Sequence, residues 1–520
     1  MSNTKYSFQN INIIECIENS FSEFLENNKI KYPSLSNKNM EKWNFEEYLD
    51  KKNILPLDLK KEPALIDLVP NIEISNNKEL KLVKFYGTIQ NVFENQIYTS
   101  AKYDSTNKKY IVNKYFENHS KIIKLEEDDI LGDRLRLELV PVFGLNEYFG
   151  IKYNNEAFNK QKIIVYDYTN KFTKINQNIL VLGVSYIRND IIFIHSWKII
   201  GNYEEIKISK YLELYPEISE QKHLIREKIK RIFLKIFKND ELASDYLLLF
   251  LFSQIFSRVS TKNVGIFPLN IILDSNNDIN QCNDVYTNAL NTLKKICLKI
   301  KDIKLSIDNL NNSKFYPRFD SETEELYPGE LQLSDGTFLL VDEINMNEGK
   351  LVEIGIKNLG ALKGLIDFQL LGYEYPYNKI EISHDVEILI FTHKTKSILH
   401  SPFLTLLPTV FTNDNINSDI INENDFKIIF YYLNYIRYDS SFKDEFIIKE
   451  EISNSIQKNY VDNNHNFKAD DFDLVFKLSK FHALSHGRNY LTYDDYEYVD
   501  FLEKKRKQRL NDYTKTKTKK

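Results

Sequence analysis

Cysteine is scarce: Cys16, Cys282 and Cys297 are the only three in 520 residues. They are too few and too scattered for a disulfide framework or a zinc cluster, which fits a reducing compartment. An excess of one charge is missing too. The chain has 69 Lys and Arg against 74 Asp and Glu, a net charge of −5, so no global field steers it to nucleic acid or membrane. The most apolar run, Tyr246 to Phe252 (YLLLFLF), falls far short of the ~20 residues that a membrane span requires. The first residues, MSNTKYSFQN, lack the charged and apolar blocks of a signal peptide. The expectation is a soluble intracellular protein, nuclear or cytosolic. A phosphate loop of the form G-x-x-x-x-G-K-[ST] is also absent. The one Gly followed by Lys is Gly349, which stands beyond the acidic strand described next and continues to Leu351.

What the chain does contain is the stretch Tyr327 to Gly349, YPGELQLSDGTFLLVDEINMNEG. Thr337, Phe338, Leu339, Leu340 and Val341 lead into Asp342 and Glu343, as a buried parallel strand delivers carboxylates to its carboxyl end, where open α/β sheets bind ligands. In a nucleotide-hydrolysing site such a pair holds Mg²⁺ and positions water. One strand earlier, Leu269 to Leu273 (LNIIL) runs into Asp274, Ser275, Asn276, Asn277 and Asp278, which offer a triphosphate two carboxylates and no Gly or Lys. ATP hydrolysis is therefore not expected, and the residues favour a strand-end pair without a metal. Gly329 and Gly336 serve turns around a short strand.

A prior of ~150 residues per domain suggests about three units, and 42% hydrophobic residues suffice to fill them. Ile11 to Asn27 has helical spacing, and Lys31 to Pro56, with Trp43 and Tyr48, reads as a linker anchored on the next domain. Leu82–Val92, Gln96–Tyr103, Arg134–Val142, Gln161–Tyr168, Asn178–Tyr186 and Ile191–Trp197 are short β-rich runs that predict a small barrel of the oligonucleotide-binding type. Helical patterns follow at Gln221–Phe237 and Glu241–Arg258, the second with an apolar face too broad for a surface helix and so central to a helical layer. Next come strand Leu269–Leu273, helix Asp284–Ile300, strand Ile303–Ile307, strand Thr337–Val341, helix Leu359–Leu370 and strand Val386–Thr392, an alternation that predicts a mostly parallel sheet. Asp425–Tyr438, Phe446–Tyr460, Ala469–Leu484 and Tyr493–Leu510 read as a helical bundle.

Four further groups bear on function. Phe85, Tyr86, Tyr98 and Tyr103, interleaved with Lys84 and Lys102, are either one core face or a stacking surface for single-stranded nucleic acid, and alternation favours the core. His482 and His486 stand four apart on a predicted helix with no third ligand nearby, which favours a surface pair and a cap before Gly487 over zinc. His384, His393 and His400 pair with no Ser or Cys at a recognisable spacing. Lys504, Lys505, Arg506, Lys507 and Arg509 form a nuclear localisation signal, a polyanion contact or a solvated helix end favoured by the macrodipole.

The acidic-strand stretch, followed by NLGALKGLIDFQLLGYEY and VEILIFTHKTKSIL, resembles the minichromosome maintenance complex-binding protein family. FDLVFKLSKFHALSHGRNYLTYDDYEYVDFLEKKRKQRL is similar to that family's closing segment. WNFEEYL and LVKFYGTIQNVFENQIYTSAKYD are similar to its N-terminal region. The resemblance covers most of Trp43 to Leu510. The family is in turn similar to the replicative helicase subunits, whose magnesium-binding Asp-Glu follows a Gly-x-Leu-x-Leu-x-Asp-Gly run. Here Gly329, Leu331, Leu333, Asp335 and Gly336 match that run, and Asp342 and Glu343 match the pair. The helicase's other catalytic parts do not carry over. HSPFLTLLPTVF has no arginine where a Ser-Arg-Phe finger is expected, and Asp470 aligns with the lid's nucleotide-sensing arginine.

The resemblance implies an α/β multidomain protein: an N-terminal helix and linker (1–65), an OB-like β-rich module (66–205), a helical layer (206–258), a degenerate AAA+-like α/β core without a phosphate loop (259–415), a C-terminal helical lid (416–510) and a disordered basic tail (511–520). It further implies a nuclear, non-catalytic binding and assembly or unloading factor for the minichromosome maintenance helicase, a subunit mimic or chaperone that needs no cofactor. A ring-subunit shape can occupy one place in a ring without closing an active one. The alternative is a single-stranded nucleic-acid-binding replication protein that uses the barrel and basic tail.

Overall fold

The computed structural model describes residues 12–30, 35–54, 66, 69–72, 80–115, 129–151, 162–214, 218, 221–259, 262–273, 278–322, 325–393, 397–411, 422–463 and 469–518. They fall into two compact units, Met1–Val142 with Ile151–Lys207, and Phe143–Gly150 with Ile208–Lys520.

In the first unit seven strands follow one another: β1 (Lys81–Val92), β2 (Gln96–Asp104), β3 (Lys109–Val112), β4 (Ile130–Pro141), β5 (Lys162–Asp167), β6 (Asn178–Arg188) and β7 (Ile191–Ile200). β1, β6, β7, β5 and β4 hydrogen-bond in that order, and β4 pairs back onto β1, so the sheet closes into a five-stranded barrel. Every pairing is antiparallel except β5 with β7. Strict alternation builds the interior: Val83, Phe85 and Ile89, Leu135, Leu137 and Leu139, Ile163 and Val165, and Ile192 and Ile194 all point inward. β2 and β3 extend from β4 as a hairpin. The short β3 was not expected, because Lys109–Val112 is too brief to carry a period.

Helix α1 (Ile13–Asn27) buries Ile13, Ile17 and Phe21, the stripe that its spacing predicts. Of the expected linker, residues 31–34 and 55–56 lie outside the described residues, and the part between them contains two short helices, α2 (Asn37–Glu41) and α3 (Phe45–Lys51). Asn44 caps α3 through the Glu46 amide, and Trp43, Phe45 and Leu49 are buried. The Trp43 indole donates to Ser20 Oγ at 3.1 Å and its ring lies 5.0 Å from Phe21 and 5.4 Å from Tyr115. Aromatic burial orders a segment whose polar composition reads as a linker.

In the second unit, α4 (Lys222–Ile236) and α5 (Glu241–Leu251) precede the hairpin of β8 (Ser257–Val259) and β9 (Lys262–Val264). Then come β10 (Leu269–Leu273), α6 (Ile279–Ile296), β11 (Ile300–Lys304), α7 (Ile307–Asn312), β12 (Arg318–Asp320), β13 (Glu325–Tyr327) and β14 (Thr337–Asp342). They are followed by α8 (Glu353–Phe368), β15 (Leu370–Glu374), β16 (Lys379–Ser383), β17 (Val386–His393) and β18 (Thr405–Pro408). The helices α9 (Glu423–Tyr438), α10 (Glu450–Asn463), α11 (Ala469–Ser485) and α12 (Tyr493–Thr518) close the chain. β11, β14, β17, β10 and β18 form one sheet in that order, parallel throughout. Its central strands are buried on both faces, so Leu269–Leu273 and Thr337–Asp342 read as continuous rather than alternating runs. β13, β12, β15 and β16 make a second, smaller sheet.

Several expected boundaries move. The second helix ends at Leu251 rather than Arg258, and β8 begins after it. α6 starts five residues before the expected Asp284, because Asp278 accepts the Asn280 amide as its N-cap. α8 stops at Phe368, where Gln369 takes a left-handed φ of 52°. α12 runs to Thr518 in place of a disordered tail from residue 511. No Gly or Pro interrupts it, and the Thr514 hydroxyl donates to Leu510 O at 3.0 Å. One hydrophobic core runs from Leu212 through the sheet to Leu502, joining the expected helical layer, α/β core and lid.

Both sheet edges are covered. Beside β11 the Ile300 amide donates to Gly144 O and the Asn146 amide donates to Leu298 O. At β18 Arg506 and Arg509 donate to the carbonyls of Leu406 and Pro408.

Candidate functional site at the carboxyl edge of the parallel sheet

The register of the sheet sets Asp342 beside Lys304 of β11 and Phe391 of β17, at the carboxyl ends of all three strands. Both acidic side chains are buried, at 6% and 7% exposure. Asp342 Oδ1 accepts the Ile344 amide at 3.0 Å. Glu343 is held by the chain after β17, its Oε1 accepting from the Ser397 hydroxyl at 2.6 Å and its Oε2 from the Ile398 amide at 3.2 Å. Burial pushes the Asp342 carboxyl up against the partial offset of the Ile344 amide and Lys304. Burial raises Glu343 to about 7 despite its two hydrogen bonds. The Tyr286 hydroxyl of α6 is buried without a hydrogen-bond partner, and burial followed by the Asp342 charge raises its pKa. Among the described residues no three His, Cys, Asp or Glu side chains converge to hold a metal ion.

Asp274, Ser275, Asn276 and Asn277 lie outside the described residues. The next residue, Asp278, places its carboxylate on the N-terminus of α6, the helix end that favours an anion.

The glycine and leucine run ahead of the acids has packing roles. Leu331 and Leu333 are buried. A Cβ on Gly329 would lie 2.4 Å from Phe315 O, and Gly336 holds a φ of +79° in the turn into β14. Asp335 Oδ1 accepts the Asp385 amide and its carbonyl accepts Lys299 Nζ.

The basic run does not present a continuous cationic face. Lys504 pairs with Asp500 at 2.5 Å and Lys505 lies 4.3 Å from the Phe501 ring centroid. Lys507 pairs with Asp471 at 3.1 Å. Arg506 is buried against Glu503, and Arg509 pairs with Asp240 at 2.7 Å. A helix whose inward face must cover a sheet edge turns part of any cationic run inside. Of the aromatic group, Phe85 lies inside the barrel and Tyr86 is also buried, while Lys84 Nζ donates to Ile66 O at 2.9 Å. Tyr98 packs on Tyr168 under Arg134, and Tyr103 packs on Tyr110 of the hairpin. Lys102 lies 4.0 Å from Asp129. Phe85 and Tyr86 are thus core residues, and Tyr98 and Tyr103 each pack on another tyrosine ring.

His482 is not a surface residue. Its Nδ1 lies 2.6 Å from Asp495 Oδ1, and Asp495 also takes both Arg488 guanidinium nitrogens and the Thr492 amide. Burial opposes ionisation of Asp495, but the bonds from His482, Arg488 and Thr492 hold its carboxyl well below the usual range. Burial, followed by Arg226, lowers His486 to about 3. His384 is buried with Nδ1 3.1 Å from Ile382 O, His393 ends β17, and His400 is exposed. Asp470 is the second residue of α11. Sequence reasoning missed Ser397, Ile398 and Tyr286, which only the sheet register brings to the acidic pair.

A family model described as mini-chromosome maintenance replisome factor matches residues 188–510, more than half of the chain. Curated proteins similar to the chain carry the name mini-chromosome maintenance complex-binding protein. The one from Arabidopsis thaliana is 28% identical over 291 residues, covering 55% of this chain and 47% of that one. The one from Dictyostelium discoideum is 29% identical over 296 residues, covering 54% and 40%. The human one is 25% identical over 327 residues, covering 59% and 48%. The chain spans about half the length of the curated relatives it matches.

Proposed function

The chain belongs to the mini-chromosome maintenance replisome factor family, and from that premise we propose that it is a non-catalytic binding factor for the mini-chromosome maintenance complex in DNA replication. The observation that carries this reading is an α/β sheet with the layout of a nucleotide-binding module whose acidic pair is engaged by its own chain. Counted along the chain, the order β18-β10-β17-β14-β11 is 5-1-4-3-2, the arrangement of the AAA+ class to which the helicase subunits belong. Glu343 is tied down by Ser397 and Ile398, and Asp278 occupies the helix end where phosphate would sit. This supports a degenerate AAA+ module that kept the shape of a ring subunit without its chemistry. The barrel order, with its third and fifth members parallel, supports a module of the oligonucleotide-binding type.

Such a chain offers a helicase subunit the edge that a neighbouring subunit would offer, and so acts as a mimic or chaperone in assembly or unloading. Its place of action is then the nucleus. The test is retention of individual helicase subunits by the full-length protein in nuclease-treated extract, with and without ATP. Nucleotide-independent retention of some subunits, unchanged by Asp342→Ala, is expected. Loss of all retention once nucleic acid is removed would overturn the reading, and ATP turnover abolished by Asp342→Ala would overturn its non-catalytic part.

A further inference from the structure

A cleft of about 680 Å³ opens in the second unit at the start of the parallel sheet, away from Asp342 and Glu343. Its walls are the end of α8, the β8–β9 hairpin, the loop before β18 and the outer face of α11. Ile366 and Leu404 floor it and are buried, whereas Phe368 and Phe403 stand at the rim with 55% and 49% of their surface exposed. Large apolar side chains in solvent beside a concave apolar floor mark a docking surface rather than scatter.

The charges at the cleft are unequal in availability. The cations are engaged by their own chain: Arg258 by His384 O and Asn263, Lys477 by Ile266 O, Arg506 by Glu503. Asp471 is paired with Lys507. That leaves two carboxylates, Asp367 and Asp473, which have no cationic partner among the described residues. One oxygen of Asp367 is also buried without a hydrogen-bond partner. Burial of such an oxygen stays costly until a donor arrives.

We propose that this cleft docks a basic, apolar-anchored peptide segment of a partner protein, two hydrophobic side chains seating against Ile366 and Leu404 and a Lys or Arg reaching Asp367 and Asp473. On the functional reading above, on which the choice of partner rests, the segment belongs to a helicase subunit. A small molecule on the floor would leave both rim phenylalanines wet, whereas a chain crossing the rim covers them and brings the missing donor.

The test uses the full-length chain, immobilised, against purified mini-chromosome maintenance subunits at low and high salt. Phe368→Ala with Phe403→Ala is expected to weaken capture by at least about tenfold, and Asp367→Asn with Asp473→Asn by about threefold with a shallower salt dependence. Phe368→Leu with Phe403→Leu should restore most of the apolar loss, and melting curves separate misfolding from lost contact. Capture at the wild-type level by both variants overturns the cleft and leaves the functional reading in place. If the wild type captures no subunit, the functional reading fails and a fluorescent 12-residue Leu-Lys peptide decides the cleft. Saturable binding lost in both variants supports it, and unsaturable or variant-insensitive binding overturns it.

Discussion

Glu343 ionises near neutral pH because the sheet takes its carboxylate out of water before two hydrogen bonds can compensate. Its folded pKa of about 7 lies above the ordinary 4.5, so the folded chain prefers the protonated form. The sign follows from linkage: its stabilising contribution is complete below pH 4.5 and is lost as pH rises through 7. In Glu343→Gln that dependence should flatten, the variant gaining on the wild type by on the order of 1–3 kcal/mol between pH 5 and pH 8 in urea titrations. A parallel pH dependence in both proteins would refute the assignment. Arg506 is a second buried group whose value lies in its partner. Arg506→Ala should cost about 3–5 kcal/mol, because it leaves the Glu503 carboxylate buried without a cation, and adding Glu503→Gln should recover part of the loss.

Among the elements, the N-terminal helices depend on aromatic contacts more than on helix propensity. α2 has five residues and α3 seven, too short to persist alone. Trp43→Ala should therefore destabilise this layer by about 3–5 kcal/mol, read as earlier proteolysis within α1, while Trp43→Phe should retain most of the packing against Phe21 and Tyr115. The strands were readable because burial on one face writes a period of two into the sequence: Val83, Phe85 and Ile89 alternate, and β1 lies within a residue of its expected span. The early start of α6 was less readable, since Asp278 lies among polar residues that resemble a loop until the capping bond is seen.

In the whole molecule, residues 143–150 leave the barrel's sequence between β4 and β5 and belong to the second unit. Their small strap lies along β11, with Gly144 at φ +65° and so close that a Cβ would stand 1.8 Å from Ile300 O. Gly144→Val should detach the strap at a cost of about 1–3 kcal/mol from strain alone. Hydrogen exchange at β11 should then quicken while β10 stays protected, and unchanged exchange at β11 would count against the strap. The expected segments 206–258, 259–415 and 416–510 share one core for a related reason. α5, buried from Leu242 to Leu251, needs the sheet on one side and the closing helices on the other.

The sequence by itself determined the local order: alternating strands for the barrel, continuous apolar strands ending in Asp342 and Glu343, and the lack of a phosphate loop. Each is a property of neighbouring residues, where side-chain period and backbone preference act. Only the tertiary structure decided which carboxylates keep a use. Ser397 lies 54 residues beyond Glu343, and Asp240 lies 269 residues before Arg509, so these pairings are set by strand register and helix docking. The same packing engaged the expected basic run and left Asp367 and Asp473 available beside two exposed phenylalanines. Burial and partnership are properties of the folded neighbourhood, and the chain order carries them only through the fold.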